Sequence, residues 1–236
     1  MNGGDGELRG GDRLDLRGGD RLDLRGGDHA HSATGDRVMT VQRFAIEHLL
    51  SMPWKNGGGA TREIVCQPPG AGMDAFDWRV SIATIDRPGP FSAFPGIART
   101  IMLLEGCGVR LRSAQAGIDH KLDTPLSPFD FDGSTALDCD LLGGTSTDFN
   151  VMVRADRLAA QCRVLRAAHA MPPAPHGLLL AVAGEWTADS DDASRPLKAG
   201  EGVWWADTPF GARLTPSGDD AALIAVRIEP RQALQR

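Results

Sequence analysis

Cations and aromatic residues are concentrated in residues 53–99, and such residues together can hold a small anion. Arginine binds carboxylates through paired hydrogen bonds, and apolar walls are usual in small-molecule pockets. If the strands of this segment pair, several cations would point into one barrel mouth. The candidates comprise the cations Lys55, Arg62, Arg79 and Arg99, the neutral partners Asn56, Ser81, Ser92 and Asn150, and the aromatic walls Trp54, Trp78, Phe91 and Phe94.

The same cations could have a purely structural role. The arginines could instead pair with Glu63, Asp77 and Asp86 on solvated strands, which would make them structural. Spacing alone leaves both interpretations open.

The glycine run in PWKNGGGATREI (53–64) also has two interpretations. Three consecutive glycines permit positive φ and let main-chain N–H groups approach a ligand, but they also suit a tight turn. The run is not a nucleotide-binding loop, because Lys55 precedes the glycines and no GxGxxG opens a helix.

Sequence templates for catalysis and metal binding are absent. The chain has neither a GxSxG elbow nor an HExxH pair. The histidines beyond the leader stand alone, at His48, His120, His169 and His176, so no metal or other cofactor is predicted. Glu63 beside Arg62 could serve as a general acid or base if it is buried, or as half of an ion pair.

The elements that must position these residues are mostly strands. Residues 76–83 alternate apolar and polar side chains, which is typical of a half-buried strand. RPGPFSAFPG (87–96) is a loop, and TIMLLEGCGVRLRS (100–113) predicts strand, glycine turn, strand. AIEHLL (45–50) carries the one helical hint, so helix content should be low.

A similar order of elements occurs twice. GLLLAVAGEWTA (177–188), LKAGEGVWW and AALIAVRI (221–228) repeat the strand–turn–strand order of the first half. We therefore predict an all-β chain of two antiparallel jelly-roll barrels packed together. Residues 39–160 would form the first barrel, with the ligand pocket, and residues 161–236 the second.

Residues 1–38 form a different kind of segment. A tandem octad rich in Gly, Asp and Arg fills residues 8–28. Such a segment buries too little apolar surface to offset its ordering entropy, so it is predicted to be a disordered leader. Met39 opens the first foldable sequence, so the leader could be translated from upstream of the true start.

Charge and composition narrow the class of partner. The 236 residues carry a formal net charge of -6, which argues against nucleic acid. No run approaches the ~20 apolar residues of a membrane helix, and the N-terminus is not a secretory signal. The four cysteines form no CxxC pair, which is typical of a reducing compartment. A cytoplasmic protein is expected, and a homodimer is left open.

Several of these segments together resemble the HutD/Ves family. They are PWKNGGGATREI, FDWRVSIATI, GPFSAFPGIARTIMLLEGCGVRL, PFDFDG and DFNVMVR, in the family's order, and the resemblance covers about residues 40–230. It implies a bicupin fold and a protein that accompanies histidine-utilisation genes, with no established reaction. It also implies binding of an intermediate such as N-formylglutamate or urocanate.

The resemblance assigns the same candidates to the family pocket and adds Glu63. There are two departures, because Ala98 stands where the family often has Asp and Thr147 where it often has Arg. If either position orients the ligand, affinity or ligand identity would differ.

Three hypotheses about function follow. The leading one is a metal-independent regulator that binds a small carboxylate metabolite of histidine degradation. The second is a metal-independent enzyme acting on an acidic amino-acid derivative, and the third is a protein–protein interaction module. An enzymatic role is therefore uncertain, with binding favoured.

Overall fold

The structure is a computed structural model and describes residues 41–231. The predicted leader, residues 1–38, lies outside the described residues. The described part is built from strands, with one short 3-10 helix at Ile46–His48 in the region of the helical hint. No helix there is long and apolar enough to cross a membrane.

The strands, in chain order, are β1 (Gln42–Ala45), β2 (Ser51–Pro53), β3 (Gly59–Gln67), β4 (Trp78–Ile85), β5 (Gly89–Phe91), β6 (Ile97–Glu105), β7 (Val109–Ser113), β8 (Ile118–Leu122), β9 (Phe129–Asp132), β10 (Leu137–Leu141), β11 (Ser146–Arg154), β12 (Leu158–Leu165), β13 (His169–Ala174), β14 (His176–Asp189), β15 (Ser194–Lys198), β16 (Glu201–Trp205) and β17 (Phe210–Pro230).

These strands form three antiparallel sheets. A six-stranded sheet has the order β2-β3-β4-β11-β6-β9, and a four-stranded sheet has the order β5-β10-β7-β8. A seven-stranded sheet has the path β1-β16-β14-β17-β12, with β13 on β17 and β15 on β14. The prediction of an all-β chain with little helix is confirmed.

The six-stranded sheet lies between the other two and buries both of its faces. One face, with Val80, Phe149 and Val151, packs against Leu178 and Val226 of the seven-stranded sheet. We call the opposite face the inner face. Its apolar residues Ile85, Ile101 and Leu103 pack against the four-stranded sheet. The residues of that sheet in the same core are Val109, Leu111, Leu122, Leu137 and Cys139.

The seven-stranded sheet folds over a core of its own. Register shifts between Ala181 and Glu185 interrupt the pairing of β14 with β17. Leu179 on one side of these shifts and Trp186 on the other belong to one buried apolar cluster. Burial on both faces explains why GLLLAVA is an unbroken apolar run instead of an alternating one.

The chain does not keep its two halves separate at the level of sheets. β1, from the first half, pairs with β16 of the second. The predicted boundary after residue 160 falls inside β12, which pairs with β17. The division into two barrels at this position stays a prediction.

Candidate functional site

The registers of the six-stranded sheet place polar side chains in rows on its inner face. Glu63 on β3 lies opposite Ser81 on β4, and Ser81 lies opposite Asn150 on β11. Directly paired residues of neighbouring strands point to the same face. The three side chains therefore form one polar row across three strands.

A second row on the same face carries the two arginines. Arg79 pairs with Met152, and Met152 pairs with Arg99 on β6. Asp148 adds a carboxyl to this face, two residues before Asn150 on β11. We refer to six polar residues of this face as the arginine cluster: Glu63, Arg79, Ser81, Arg99, Asp148 and Asn150.

Arg79 is held by its neighbours in the first row. Its Nε donates to Glu63 Oε2 at 2.7 Å, and its Nη1 lies 3.4 Å from Ser81 Oγ. The Arg79 side chain is 10% exposed, whereas that of Glu63 is 43% exposed. This ion pair thus runs from the interior towards solvent and gives the cluster an open end.

Arg99 has a different environment, in which aromatic rings replace carboxylates. Its guanidinium carbon lies 5.6, 5.5 and 4.9 Å from the ring centres of Phe91, Phe94 and Phe131. Its Nη1 lies 3.4 Å from the carbonyl oxygen of Ser92, and its Nε donates to no described residue. Cation–π attraction holds the charge without neutralising it.

Burial governs the electrostatics of Arg99. It lowers the pKa of the guanidinium to about 10, while Asp148 acts to raise this pKa and Arg79 to lower it further. The group still carries its charge at neutral pH. No described carboxylate lies within 4.0 Å of the Arg99 guanidinium, and Glu63, the other acid of the cluster beside Asp148, pairs with Arg79. Arg99 therefore has donors and charge to offer an anion.

Asp148 is the most deeply buried acid of the cluster, with 3% of its surface exposed. Its Oδ1 accepts no hydrogen bond from the described residues. Burial raises the pKa of Asp148 to about 7, against the opposing effects of Arg99 and of a backbone hydrogen bond with Ala83. Around neutral pH this carboxyl exchanges a proton with little energetic cost.

Sequence reasoning missed Asp148 and Phe131, although signals for both existed. In TDFNVM the period of two puts Asp148 on the same face as Asn150, which was a candidate. Phe131 lies in PFDFDG and pairs with Arg99 across β6 and β9. The pairing of distant strands was needed to see that Phe131 would cover an arginine.

Other candidates lie outside the arginine cluster. Arg62 pairs with Ile82, and Trp78 packs in the core shared with the seven-stranded sheet, so both belong to the opposite face. Lys55 and Asn56 lie in the exposed turn before β3. Trp54 is half-buried beside the inner-face core and donates from Nε1 to Thr61 Oγ1 at 2.8 Å.

The glycine run has the contacts of a turn. Gly57 has a φ of +66°, and Asn56 Oδ1 accepts from the Gly58 N–H at 3.0 Å. A Cβ at Gly59 would lie 2.1 Å from the carbonyl oxygen of Thr84, so only glycine permits this approach of β3 to β4. Of the two interpretations, the turn accounts for these contacts.

Two concave regions lie away from the arginine cluster. A groove of about 590 Å³ runs between the six- and seven-stranded sheets, past Arg62, Leu104, Leu180 and Lys198. A smaller cavity of about 170 Å³ includes His176. The groove carries charges of both signs, of which Glu47, Glu105 and Lys198 are exposed, whereas Arg79, Arg99 and Asp148 of the arginine cluster are buried. Burial and unused hydrogen-bonding atoms therefore favour the cluster as the site.

Within residues 41–231, no three His, Cys, Asp or Glu side chains are grouped so that they could hold a metal ion. The buried charges of the inner face are mainly guanidinium groups, which bind anions and not cations. What this arrangement can do chemically is hold a carboxylate between Arg99, Asn150 and Asp148.

Proteins with similar sequences show which family the chain is related to. A protein from Pseudomonas putida described as an uncharacterized 21.2 kDa protein in the hutC 3' region is 45% identical over 113 residues, which are 47% of this chain and 56% of that protein. Protein Ves of Citrobacter koseri is 39% identical over 175 residues, which are 74% of this chain and 87% of that protein.

Solved structures agree with the fold. A conserved protein of unknown function from Pseudomonas aeruginosa PAO1 is 31% identical, with a TM-score of 0.72 over 80% of this chain and 99% of that one. HutD from Pseudomonas fluorescens SBW25, determined in a formate condition, is 27% identical, with a TM-score of 0.69 over 81% of this chain and 100% of that one.

The sequence model of the HutD family matches residues 47–224, a span that contains every residue of the arginine cluster. This match covers well over half of the chain, and the relatives above fall in the same group. The resemblance to HutD and Ves seen in the sequence is confirmed, and the chain belongs to the HutD family.

Proposed function

We propose that this protein binds a small carboxylate metabolite of histidine degradation, N-formylglutamate or a urocanate-like compound, and thereby modulates histidine utilisation without a metal. The association with histidine utilisation rests on the family and on the relative encoded beside hutC. The ligand class rests on one observation: Arg99 is buried, and no described carboxylate lies within ion-pair distance of it.

The charge balance of the arginine cluster supports an anionic ligand. Glu63 neutralises Arg79, which leaves Arg99 and Asp148. Because the pKa of Asp148 is about 7, its carboxyl is only partly ionised near neutral pH and balances Arg99 incompletely. Unpaired buried charge is costly, so a bound carboxylate would stabilise the cluster as well as be held by it.

The wider architecture of the proposal is a bicupin. The four- and six-stranded sheets would be the two walls of a first jelly-roll barrel, within residues 39–160, with the arginine cluster inside it. The seven-stranded sheet, folded over its apolar core, would contribute the second barrel, within residues 161–236. The protein would act in the cytoplasm.

Thermal unfolding of the full chain with N-formylglutamate, urocanate, glutamate and formate tests the binding proposal. A ligand at 100 times its Kd stabilises by about 2.7 kcal/mol, which is a shift of roughly 5–10 °C for a protein of this size. We expect a shift with at least one compound. It should be lost in Arg99→Ala and kept in Arg112→Ala, an exposed arginine of the four-stranded sheet that pairs with Asp140. Equal shifts in both variants would contradict the site, and no shift with any compound would contradict the ligand class.

Asp148 favours a second candidate, an enzyme acting on an acidic amino-acid derivative. A general acid or base works best with a pKa near the working pH, and burial gives Asp148 such a pKa. Incubation with N-formylglutamate, followed by measurement of released formate, separates the two. Turnover that disappears in Asp148→Asn would establish the enzyme, and binding without turnover would leave the binding protein.

A further inference from the structure

The surroundings of Asp148 differ from those of an ordinary buried carboxylate. Its side chain lies on the inner face, on β11 between Ala83 of β4 and Leu103 of β6. Its Oδ1 has no hydrogen-bond partner among the described residues, and Arg99 lies beyond ion-pair distance. The negative charge of Asp148 is therefore poorly compensated.

Charged and titratable groups face Asp148 from each element packed around it. They are Arg99 from β6, Arg79 from β4 and Glu63 from β3, and in the four-stranded sheet the buried thiol of Cys139 from β10 and His120 from β8, whose ring stacks on Phe129. Glu63 and Arg79 neutralise each other. Burial raises the pKa of the Cys139 thiol to about 12, and the nearby charge of Asp148 acts in the same direction. The thiol therefore stays neutral.

An anion bound at Arg99 would bring a second carboxylate into this space. Two carboxylates that share one buried site do not both stay ionised, and the pair retains one proton. The ligand carboxylate would lie against the guanidinium, which favours its charged form. The retained proton therefore belongs on Asp148. There it forms an O–H group that can donate a hydrogen bond, on a carboxyl whose Oδ1 otherwise has no described partner.

We propose that Asp148 binds the ligand in its protonated form and donates its O–H to the carboxylate held by Arg99, so that ligand and proton bind together. This inference rests on the proposed function and specifies how the site is regulated. The proton comes from the solvent, no bond of the ligand is changed, and the proton taken up offsets the charge of the one ligand carboxylate that Arg99 holds. Binding would therefore respond to pH around neutrality.

The size of the effect follows from linkage. With a pKa of about 7 in the free protein, Asp148 is about nine-tenths ionised at pH 8, so binding there takes up close to one proton. At pH 6 uptake would be about one-tenth of a proton. Affinity should fall by up to about tenfold for each pH unit above neutrality, and change little below it.

Calorimetric titration of the full-length protein tests this proposal. The same four compounds are titrated at pH 6, 7 and 8, each in two buffers of different ionisation enthalpy. The dependence of the heat on the buffer gives the number of protons taken up. We expect uptake to rise from pH 6 to pH 8 as affinity falls, and uptake near zero at pH 8 would overturn the inference even for a tight ligand.

Two variants assign the proton to a residue. Asp148→Asn keeps a donor at the same place, so it should bind with an affinity that no longer changes between pH 6 and pH 8. Asp140→Asn, which alters an exposed carboxylate paired with Arg112, should keep the wild-type pH dependence. Titration of the ligand itself is common to all three proteins and cancels in the comparison.

The outcomes separate the two proposals. Binding whose pH dependence survives Asp148→Asn would overturn the role of Asp148 and leave the proposed function standing. Absence of binding by all four compounds at every pH would overturn the proposed function, and this inference with it. If Asp148→Asn does not fold, proton uptake by the wild-type protein still decides the question.

Discussion

Two interior spaces of this molecule lie between packed strands but are filled by different kinds of side chain. Between the six- and four-stranded sheets, buried arginines and a buried acid stand among apolar residues. The cluster inside the folded seven-stranded sheet holds no charged side chain. Trp205 Nε1 donates to the carbonyl of Ala174 at 2.9 Å, and Trp186 Nε1 is buried without a described partner. Charges in an interior cost several kcal/mol each unless they are paired.

The difference separates a space that stabilises the fold from one that binds. An apolar filling serves stability best, because burial of a charge without a partner opposes folding. In the first space, the arginine cluster takes the place of apolar side chains that would stabilise the fold more. Three of its buried polar atoms, on Arg99, Asp148 and Asn150, have no described partner. Two of these atoms belong to the ionisable groups of Arg99 and Asp148, and buried ionisable groups without a close partner are typical of functional sites.

Truncation of the apolar space should give the largest change in stability. Leu179 is fully buried in the core of the seven-stranded sheet. Leu179→Ala should lower the free energy of unfolding by about 2–5 kcal/mol, because transfer and cavity costs add. Denaturant unfolding measures this loss. Ligand affinity of the folded variant should stay within about twofold of the wild-type value at fixed pH. A large loss of affinity would show that the two spaces are coupled.

Truncation of Arg99 should have the reverse pattern. Arg99→Ala removes the charge that would hold the ligand, and losing one partner of a buried charged pair costs about 2–5 kcal/mol, which is at least about 30-fold in Kd. Calorimetric titration checks this value, with Arg112→Ala as the matched arginine control. A Kd unchanged in Arg99→Ala would place the ligand elsewhere.

Asp148 should make stability depend on pH in a way that the apolar space cannot. The pKa of Asp148 is raised from 3.8 to about 7, so the folded state binds more protons than the unfolded state between these values. The favourable contribution is fully present below pH 3.8 and is lost as pH rises towards 7.

The measurement is denaturant unfolding of wild type and Asp148→Asn from pH 4 to pH 8. As pH rises, the free energy of unfolding of Asp148→Asn should increase relative to that of wild type by up to about 1.4 kcal/mol per pH unit. This difference should stop growing above neutral pH. Asp140→Asn, at the surface, should show no such gain. Parallel curves for wild type and Asp148→Asn would mean that folding does not raise the pKa of Asp148.

The smallest effect should come from the outer surface of the four-stranded sheet. Arg112 and Asp140 form an ion pair in which both side chains are about half exposed. Exposed pairs contribute about 0–1 kcal/mol, so Arg112→Ala should change the free energy of unfolding by less than about 1 kcal/mol and leave Kd unchanged. Denaturant unfolding in low and high salt checks this, and a larger loss would show that surface charge supports the site.

The sequence was sufficient for the elements and for part of the site. Period-two alternation identified β4 and its polar face, with Arg79 and Ser81, because side chains of a strand alternate strictly. It did not separate Arg62 from Glu63, which lie on opposite faces of β3, because the face that each takes in the sheet is set by the pairing of Arg62 with Ile82 and of Glu63 with Ser81 on β4.

Pairing between distant strands decided the rest. Phe131 covers Arg99 only because β9 joins the edge of the sheet at β6, and the burial of Asp148 depends on the four-stranded sheet above it. Such contacts carry no local signal. For the same reason, Trp78 looks like a pocket wall in the sequence but is a core residue in the fold.

A crystal structure of the full chain grown with N-formyl-L-glutamate would show whether the ligand binds at Arg99. We predict a ligand carboxylate oxygen within about 3 Å of an Arg99 nitrogen, between the six- and four-stranded sheets. A ligand bound instead in the groove beside Arg62 and Lys198, with the arginine cluster unchanged, would contradict the account.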